Sequence, residues 1–343
     1  LGLFTLVLSI LYMVIYFLHK DKKIGMVNLI VSLFFLTITV PIQLSSDLVT
    51  IVWALETLVL TGVFVKTGKL RVVSLIMGGV TVVKTIFFDS WYLKDIVLGN
   101  AEISVRLISY LFTIAAFYTC FALLMKKEKQ FSVLYSWFAT GLLALIVALE
   151  LSDHHYWISI IYSAIVLALV LLSRKYDFDY QAVSLSVILL LKVLLYDSYR
   201  LTAFDINNIL GSTRFFAFIC AATVFYLTAL LLDKKNPFRD YFSWSGTLLL
   251  FVLFMLEFKE YWISVGWSIL ALTVLALGFG LKRKTLRMQG IIIFGITILK
   301  VFLYDTRNLA TLYRTVSFIV LGCILLFVSF IYAKYKDRLK EII

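Results

Sequence analysis

Three pairs of charged residues recur inside apolar stretches of the sequence at a constant spacing. In each pair a lysine is followed five residues later by an aspartate, and the lysines stand 108 residues apart. Charged groups within apolar helices are costly unless they are paired or hydrated, and they often mark sites for ions or polar ligands. They are therefore the first candidates for chemistry. The pairs are Lys84 and Asp89, Lys192 and Asp197, and Lys300 and Asp305.

An arginine opens the apolar stretch that follows each pair. These arginines are Arg106, Arg214 and Arg314. Five residues of an ideal α-helix turn about 140° beyond one full turn, so the lysine and the aspartate of one pair should face different sides. We expect pairing across helices, with the arginine bound to the aspartate, because a guanidinium group can donate two parallel hydrogen bonds to a carboxylate. Two positive charges and one negative charge per set predict an outward-facing cationic zone for an anionic substrate. The alternative is a set of purely structural ion pairs.

Other chemical groups are sparse. Glu56 falls in the middle of an apolar stretch, about 13 Å from either end of its predicted helix, which indicates a proton or ligand site. Its alternative is a protonated or lysine-paired packing residue. His154 and His155 are interpreted as solvated loop residues, because adjacent histidines rarely converge on one metal. No catalytic motif is present. We expect neither a metal nor a cofactor, and we favour a non-enzymatic role.

The elements that must position these residues are membrane-spanning helices. The 343 residues are 62% hydrophobic and 15% charged, whereas a soluble domain is about 45–50% apolar and about 25% charged. Mean hydropathy is +0.99. A span needs about 20 residues. Thirteen apolar runs are predicted spans: 1–18, 24–43, 48–65, 71–88, 106–125, 131–149, 157–173, 180–196, 213–232, 241–256, 261–281, 287–304 and 313–333.

The charges between these spans alternate in sign from one side to the other. The segments that follow odd-numbered spans hold 22 of the 32 basic residues and carry a net charge of +14, and the remaining segments carry −2. Basic loops stay in the cytoplasm. This pattern predicts a cytoplasmic C-terminus and an outside start for the first span. It also explains the net charge of +12 without nucleic acid, which we exclude as a partner.

The recurring motifs predict an all-α polytopic membrane protein with about 13 transmembrane helices in three parallel four-helix repeats. Four spans return the chain to the same side, so the repeats run parallel. Repeat 1 covers 24–130, repeat 2 covers 131–236 and repeat 3 covers 237–343. Residues 1–23 are expected to be the last helix of a truncated upstream repeat, because a lysine-rich hinge follows the first span as it follows spans 5 and 9. No soluble domain is predicted.

Several stretches resemble a known family. They are Pro41-Ile42-Gln43-Leu44, Trp53-Ala54-Leu55-Glu56, Lys300-Val301-Phe302-Leu303-Tyr304-Asp305, and Leu312-Tyr313-Arg314-Thr315-Val316-Ser317-Phe318. They look like the bacterial predicted membrane proteins grouped as domain of unknown function 2339. The resemblance covers most of the chain and is strongest in the last two spans. It implies a large multi-pass envelope protein, with no established activity, cofactor or catalytic residue.

Three functions are compatible with these patterns. The first is a transporter-like or flippase-like protein that binds an anionic envelope lipid or sugar in the cationic zone. The second is a non-catalytic scaffold that organises other envelope proteins, with membrane lipids around it. The third is a lipid-linked glycosyl or acyl transferase with Asp89, Asp197 or Asp305 as its acid. The threefold repetition argues against a single catalytic centre.

Overall fold

The computed structural model describes residues 1–19, 23–92, 96–98, 101–205, 212–259, 261–304 and 319. Apart from connecting turns, this part is helical except for a short antiparallel hairpin, β1 (Ile96–Leu98) with β2 (Ala101–Ile103). The α-helices are α1 (Gly2–Leu18), α2 (Lys23–Gln43), α3 (Ser46–Thr67), α4 (Arg71–Lys84), α5 (Ser90–Tyr92), α6 (Val105–Leu124), α7 (Lys129–Glu150), α8 (His155–Ser173), α9 (Asp179–Leu191), α10 (Ser198–Arg200), α11 (Thr213–Leu231), α12 (Arg239–Glu257), α13 (Tyr261–Gly280) and α14 (Lys284–Leu303).

Eleven helical segments within the described ranges are long and apolar enough to cross a membrane. A twelfth, α1, is apolar but has only 17 residues. The predicted span 313–333 lies outside the described residues. The multi-pass helical architecture is therefore confirmed, whereas the total of thirteen spans stays a prediction.

Two helices change their winding near the charged pairs. The helix α4 continues into a π-helical segment, π1 (Thr85–Asp89), and α9 continues into π2 (Lys192–Asp197). In a π-helix the backbone bonds join residues five apart, and such segments are frequent at functional sites. Each π-helical segment ends at the aspartate of a predicted pair. The π-helical segments therefore coincide with the positions of the lysine–aspartate pairs.

The described helices form two compact units, divided between residues 153 and 154. In the N-terminal unit, α1 packs on α2, α3 packs on both α4 and α6, and α6 packs on α7. In the C-terminal unit, α8 packs on both α9 and α11, α11 packs on α12, and α13 packs on α14. The trio α3, α4 and α6 therefore has the same packing pattern as the trio α8, α9 and α11. The boundaries of the three four-helix repeats stay predictions.

The interior of each unit combines aromatic rings with small hydroxyl-bearing side chains. Tyr110, Phe117 and Tyr135 are fully buried in the N-terminal unit, as are Phe218 and Phe225 in the C-terminal unit. Many serines and threonines are also buried, and most donate to a carbonyl of their own helix. Helices in lipid associate through small residues, close packing and hydrogen bonds rather than through hydrophobic exclusion from water. This interior therefore suits a membrane-embedded bundle.

Candidate functional site: the repeated lysine–aspartate pairs

The lysine and the aspartate of each described pair contact each other. Lys84 Nζ lies 2.5 Å from Asp89 Oδ1, and Lys192 Nζ lies 2.6 Å from Asp197 Oδ1. The prediction that they face different sides is wrong, because it assumed α-helical winding. The π-helical segments bring residues five apart onto one side of the helix. Both aspartates are completely buried.

The first turns of α3 supply the other hydrogen-bond partners of the first pair. Lys84 Nζ also donates to the carbonyl oxygen of Ser46 at 2.7 Å and contacts the hydroxyl of Thr50. The Thr50 hydroxyl donates to Asp89 Oδ2 at 2.6 Å. Ser46 is the first residue of α3 and Thr50 lies one turn further on. Lysine, aspartate, hydroxyl and carbonyl thus form one closed set that ties α4 to the start of α3.

The second pair has the same partners in the C-terminal unit. Lys192 Nζ donates to the carbonyl oxygen of His155 at 2.9 Å and to Ser159 Oγ at 2.7 Å. The Ser159 hydroxyl donates to Asp197 Oδ2 at 2.5 Å. His155 is the first residue of α8, and Ser159 again lies one turn further on. The repeated sequence motif therefore corresponds to a repeated contact set between two helices.

The third lysine follows the pattern as far as the structure describes it. Lys300 Nζ donates to Ser264 Oγ at 2.8 Å, which links α14 to α13. Asp305 and Arg314 lie outside the described residues.

Glutamates, and not the aspartates of the repeated motif, are the carboxylate partners of Arg106 and Arg214. Arg106 Nε lies 2.9 Å from Glu150 Oε1, and Arg214 Nε lies 2.7 Å from Glu257 Oε1. The predicted pairing of these arginines with Asp89 and Asp197 is therefore wrong. The arginines reach the aspartate segments through the backbone, since they donate to the carbonyl oxygens of the next residues, Ser90 (3.4 Å) and Ser198 (3.0 Å).

Sequence reasoning missed the two glutamates, although a signal was present. Glu150 and Glu257 end α7 and α12, and they stand 107 residues apart, within one residue of the repeat length. With the glutamate included, the lysine, aspartate, arginine and glutamate of each described set sum to zero charge. The cationic excess predicted for each set is therefore absent from the first two.

His155 takes part in the contacts around Lys192 and Asp197 and does not lie in a solvated loop. Its carbonyl oxygen accepts from Lys192, and its ring Nε2 lies 2.8 Å from the Tyr196 hydroxyl. The loop interpretation was wrong for this residue because α8 begins at His155, one turn earlier than Ser159. Among the described residues, no three His, Cys, Asp or Glu side chains are grouped so that they could hold a metal ion.

Glu56 lies on α3, apart from the ion pairs. The Thr37 hydroxyl donates to Glu56 Oε1 at 2.7 Å, and Oε2 is buried without a hydrogen-bond partner in the described part of the chain. Both residues line a mostly apolar cavity of about 470 Å³ between α2, α3 and α4. No described lysine pairs with Glu56, so the lysine-paired alternative is not observed. Its role as a proton or ligand site stays a prediction.

Replacing Ser159 by alanine should destabilise the C-terminal unit by about 1–2 kcal/mol. The substitution removes both the hydroxyl that Lys192 contacts and the hydrogen that Asp197 accepts, while both charges stay. Ser159→Thr should be nearly neutral, because threonine performs this role at Thr50. The free energy of unfolding in mixed detergent micelles measures both variants. Equal losses for alanine and threonine would show that the hydroxyl is not used.

Comparison with known proteins finds a family model that matches part of the chain. The model of a family described as "Predicted membrane protein (DUF2339)" matches residues 180–335. No curated protein and no solved structure matches the chain. The resemblance seen in Lys300–Asp305 and the following span is thereby confirmed, and the stretches around Pro41 and Trp53 lie outside the matched range.

Proposed function

We propose that this chain, whose residues 180–335 match a family of predicted membrane proteins, is a non-catalytic scaffold within the membrane. The repeated sets of ion pairs lock neighbouring helices together, and the outer apolar faces are then presented to other envelope proteins in a fixed arrangement. We place it in a bacterial plasma membrane with its C-terminus in the cytoplasm. The distribution of basic residues along the chain supports that orientation.

One observation carries this proposal: Lys84 and Lys192 are engaged by equivalent partners within their own units. Each ammonium group contacts a carboxylate, a hydroxyl and a carbonyl. An ammonium group has three hydrogens to donate, so none is left for a substrate. A residue that binds a transported anion would need a donor that the protein does not already occupy.

The same geometry argues against a transferase that uses the described aspartates. Asp89 and Asp197 each accept from a lysine and from a hydroxyl, and neither has any exposed surface. A catalytic acid must come within hydrogen-bond reach of the group to which it transfers a proton. These side chains cannot do so without a local opening of the bundle.

The transporter-like alternative has one supporting observation. Lys84 borders a cavity of about 730 Å³ between α2, α3 and α4 whose other walls are mostly apolar. An amphiphile with an anionic group would fit this chemistry if Lys84 exchanged Asp89 for the ligand. The two functions therefore differ in whether the lysine charge is required.

Replacing the lysine and the aspartate of each pair by neutral residues distinguishes a scaffold from a transporter. We expect the variants Lys84→Met/Asp89→Asn and Lys192→Met/Asp197→Asn to fold, to reverse the phenotype of a strain that lacks the protein, and to co-purify the same membrane proteins as the wild type. Lys235→Met, in an exposed connection, is the control. A charge-free variant that unfolds like the wild type but fails to reverse the phenotype would overturn the scaffold and favour ligand binding.

A further inference from the structure

A second charged cluster lies at the other end of α11 and α12 from Arg214 and Glu257. It is built from the connection between α11 and α12 and from the turn between α13 and α14, around a cavity of about 310 Å³. Asp240 is the only acidic residue among the described residues that line it. The positively charged lining residues are Lys234, Arg239, Lys282, Arg283 and Lys284.

Two arginines of this cluster are held side by side. Arg239 Nε and Arg283 Nη1 donate to the same oxygen, the carbonyl of Ala229, at 3.2 Å and 3.1 Å. Within the described ranges neither guanidinium group forms an ion pair with a carboxylate. Burial and the neighbouring charge of Arg239 lower the pKa of Arg283, and the charge of Asp240 opposes them. Two like charges are therefore held together without a counterion that touches them.

The acidic residue of the cavity accepts a hydrogen bond from a neighbouring hydroxyl of the cavity lining. Asp240 Oδ1 accepts a hydrogen bond from the Thr285 hydroxyl at 2.7 Å. The turn itself is unusual, because Lys282 has a φ of 52°, in the left-handed region where glycine usually ends a helix. A lysine at this position adds a positive charge to the rim of the cavity. The cluster therefore keeps a net positive charge around an open space.

We propose that this cavity binds a phosphate group carried by an anionic membrane lipid. Guanidinium groups bind phosphate through paired, charge-assisted hydrogen bonds, and basic pockets between transmembrane helices bind anionic headgroups on the cytoplasmic side. The charge pattern of the loops predicts that this end of the helices faces the cytoplasm. The site is separate from the ion-pair sets, and it does not depend on the scaffold proposal.

Lipid titration of the purified full chain tests this site. In nanodiscs of phosphatidylcholine with increasing phosphatidylglycerol, we expect the unfolding temperature of the wild type to rise and then saturate. Arg239→Gln/Arg283→Gln should raise the half-saturating fraction of phosphatidylglycerol at least about tenfold. Lys126→Gln, on an exposed basic turn of the N-terminal unit, is the matched control and should behave like the wild type.

Two further arms keep the outcome decisive. Lys282→Gln/Lys284→Gln leaves the bonds to Ala229 intact, so a weaker response in this variant cannot come from their loss. Inorganic phosphate, added without anionic lipid, distinguishes the sources: saturable protection by phosphate alone would assign the site to a soluble anion and overturn the lipid. An unchanged response in both double variants, or an equal loss in Lys126→Gln, would overturn the site itself.

Discussion

Substituting Lys192 with methionine is expected to lower the free energy of unfolding by about 3–5 kcal/mol, the range for breaking a buried ion pair by removing one partner. Methionine fills similar space, so packing changes little. Asp197, however, has no exposed surface and would keep only its bond from Ser159. The loss should therefore come mainly from a buried carboxylate without its counterion. Detergent-titrated unfolding of the reconstituted protein measures it.

The double variant identifies the cause of that loss. Lys192→Met/Asp197→Asn should regain most of the stability, because neutral groups carry no large penalty for burial. Lys235→Met, in an exposed connection, should stay within about 0.5 kcal/mol of the wild type. If the double variant were as unstable as Lys192→Met, shape rather than charge would hold this contact together, and the ion-pair explanation would fail.

The helices of this protein could be predicted closely from the sequence, because length and apolar content are enough to define a membrane span. The predicted run 106–125 corresponds to α6, and 157–173 falls within α8. The recurrence of Lys84 and Lys192 also pointed to a shared site, which the structure describes as two equivalent sets of contacts. Both the hydropathy of a segment and the spacing of a repeat can be determined from the amino-acid sequence alone.

The partners within each set could not be predicted, because they depend on local winding. Standard α-helical geometry placed Lys192 and Asp197 on different sides, and π2 brings them together. No single residue in Lys192–Asp197 signals this change by its type. The glutamates were missed for a different reason. Glu150 and Glu257 end their helices, where a carboxylate is equally well explained by exposure to water.

The repeated arginine–glutamate contacts allow the same interaction to be compared at two degrees of solvent exposure. We expect the coupling energy between Arg214 and Glu257 to be about 2–4 kcal/mol, and that between Arg106 and Glu150 to be about 1 kcal/mol or less. The side chains of the first pair are 12% and 6% exposed, and those of the second are 24% and 23% exposed. Water screens the second pair more strongly.

Double-mutant cycles with Arg→Gln and Glu→Gln at each pair measure the two coupling energies under one set of conditions. Arg214 also donates to the carbonyl oxygens of Ser198 and Leu256, so the single variant Arg214→Gln should cost more than Glu257→Gln. Added salt should reduce the coupling of the more exposed pair, Arg106 and Glu150, more than that of the less exposed pair, Arg214 and Glu257. Equal couplings at the two positions would mean that burial does not determine the strength of these contacts. A larger loss for Arg214→Gln than for Arg106→Gln would then have to come from the bonds of Arg214 to the neighbouring backbone.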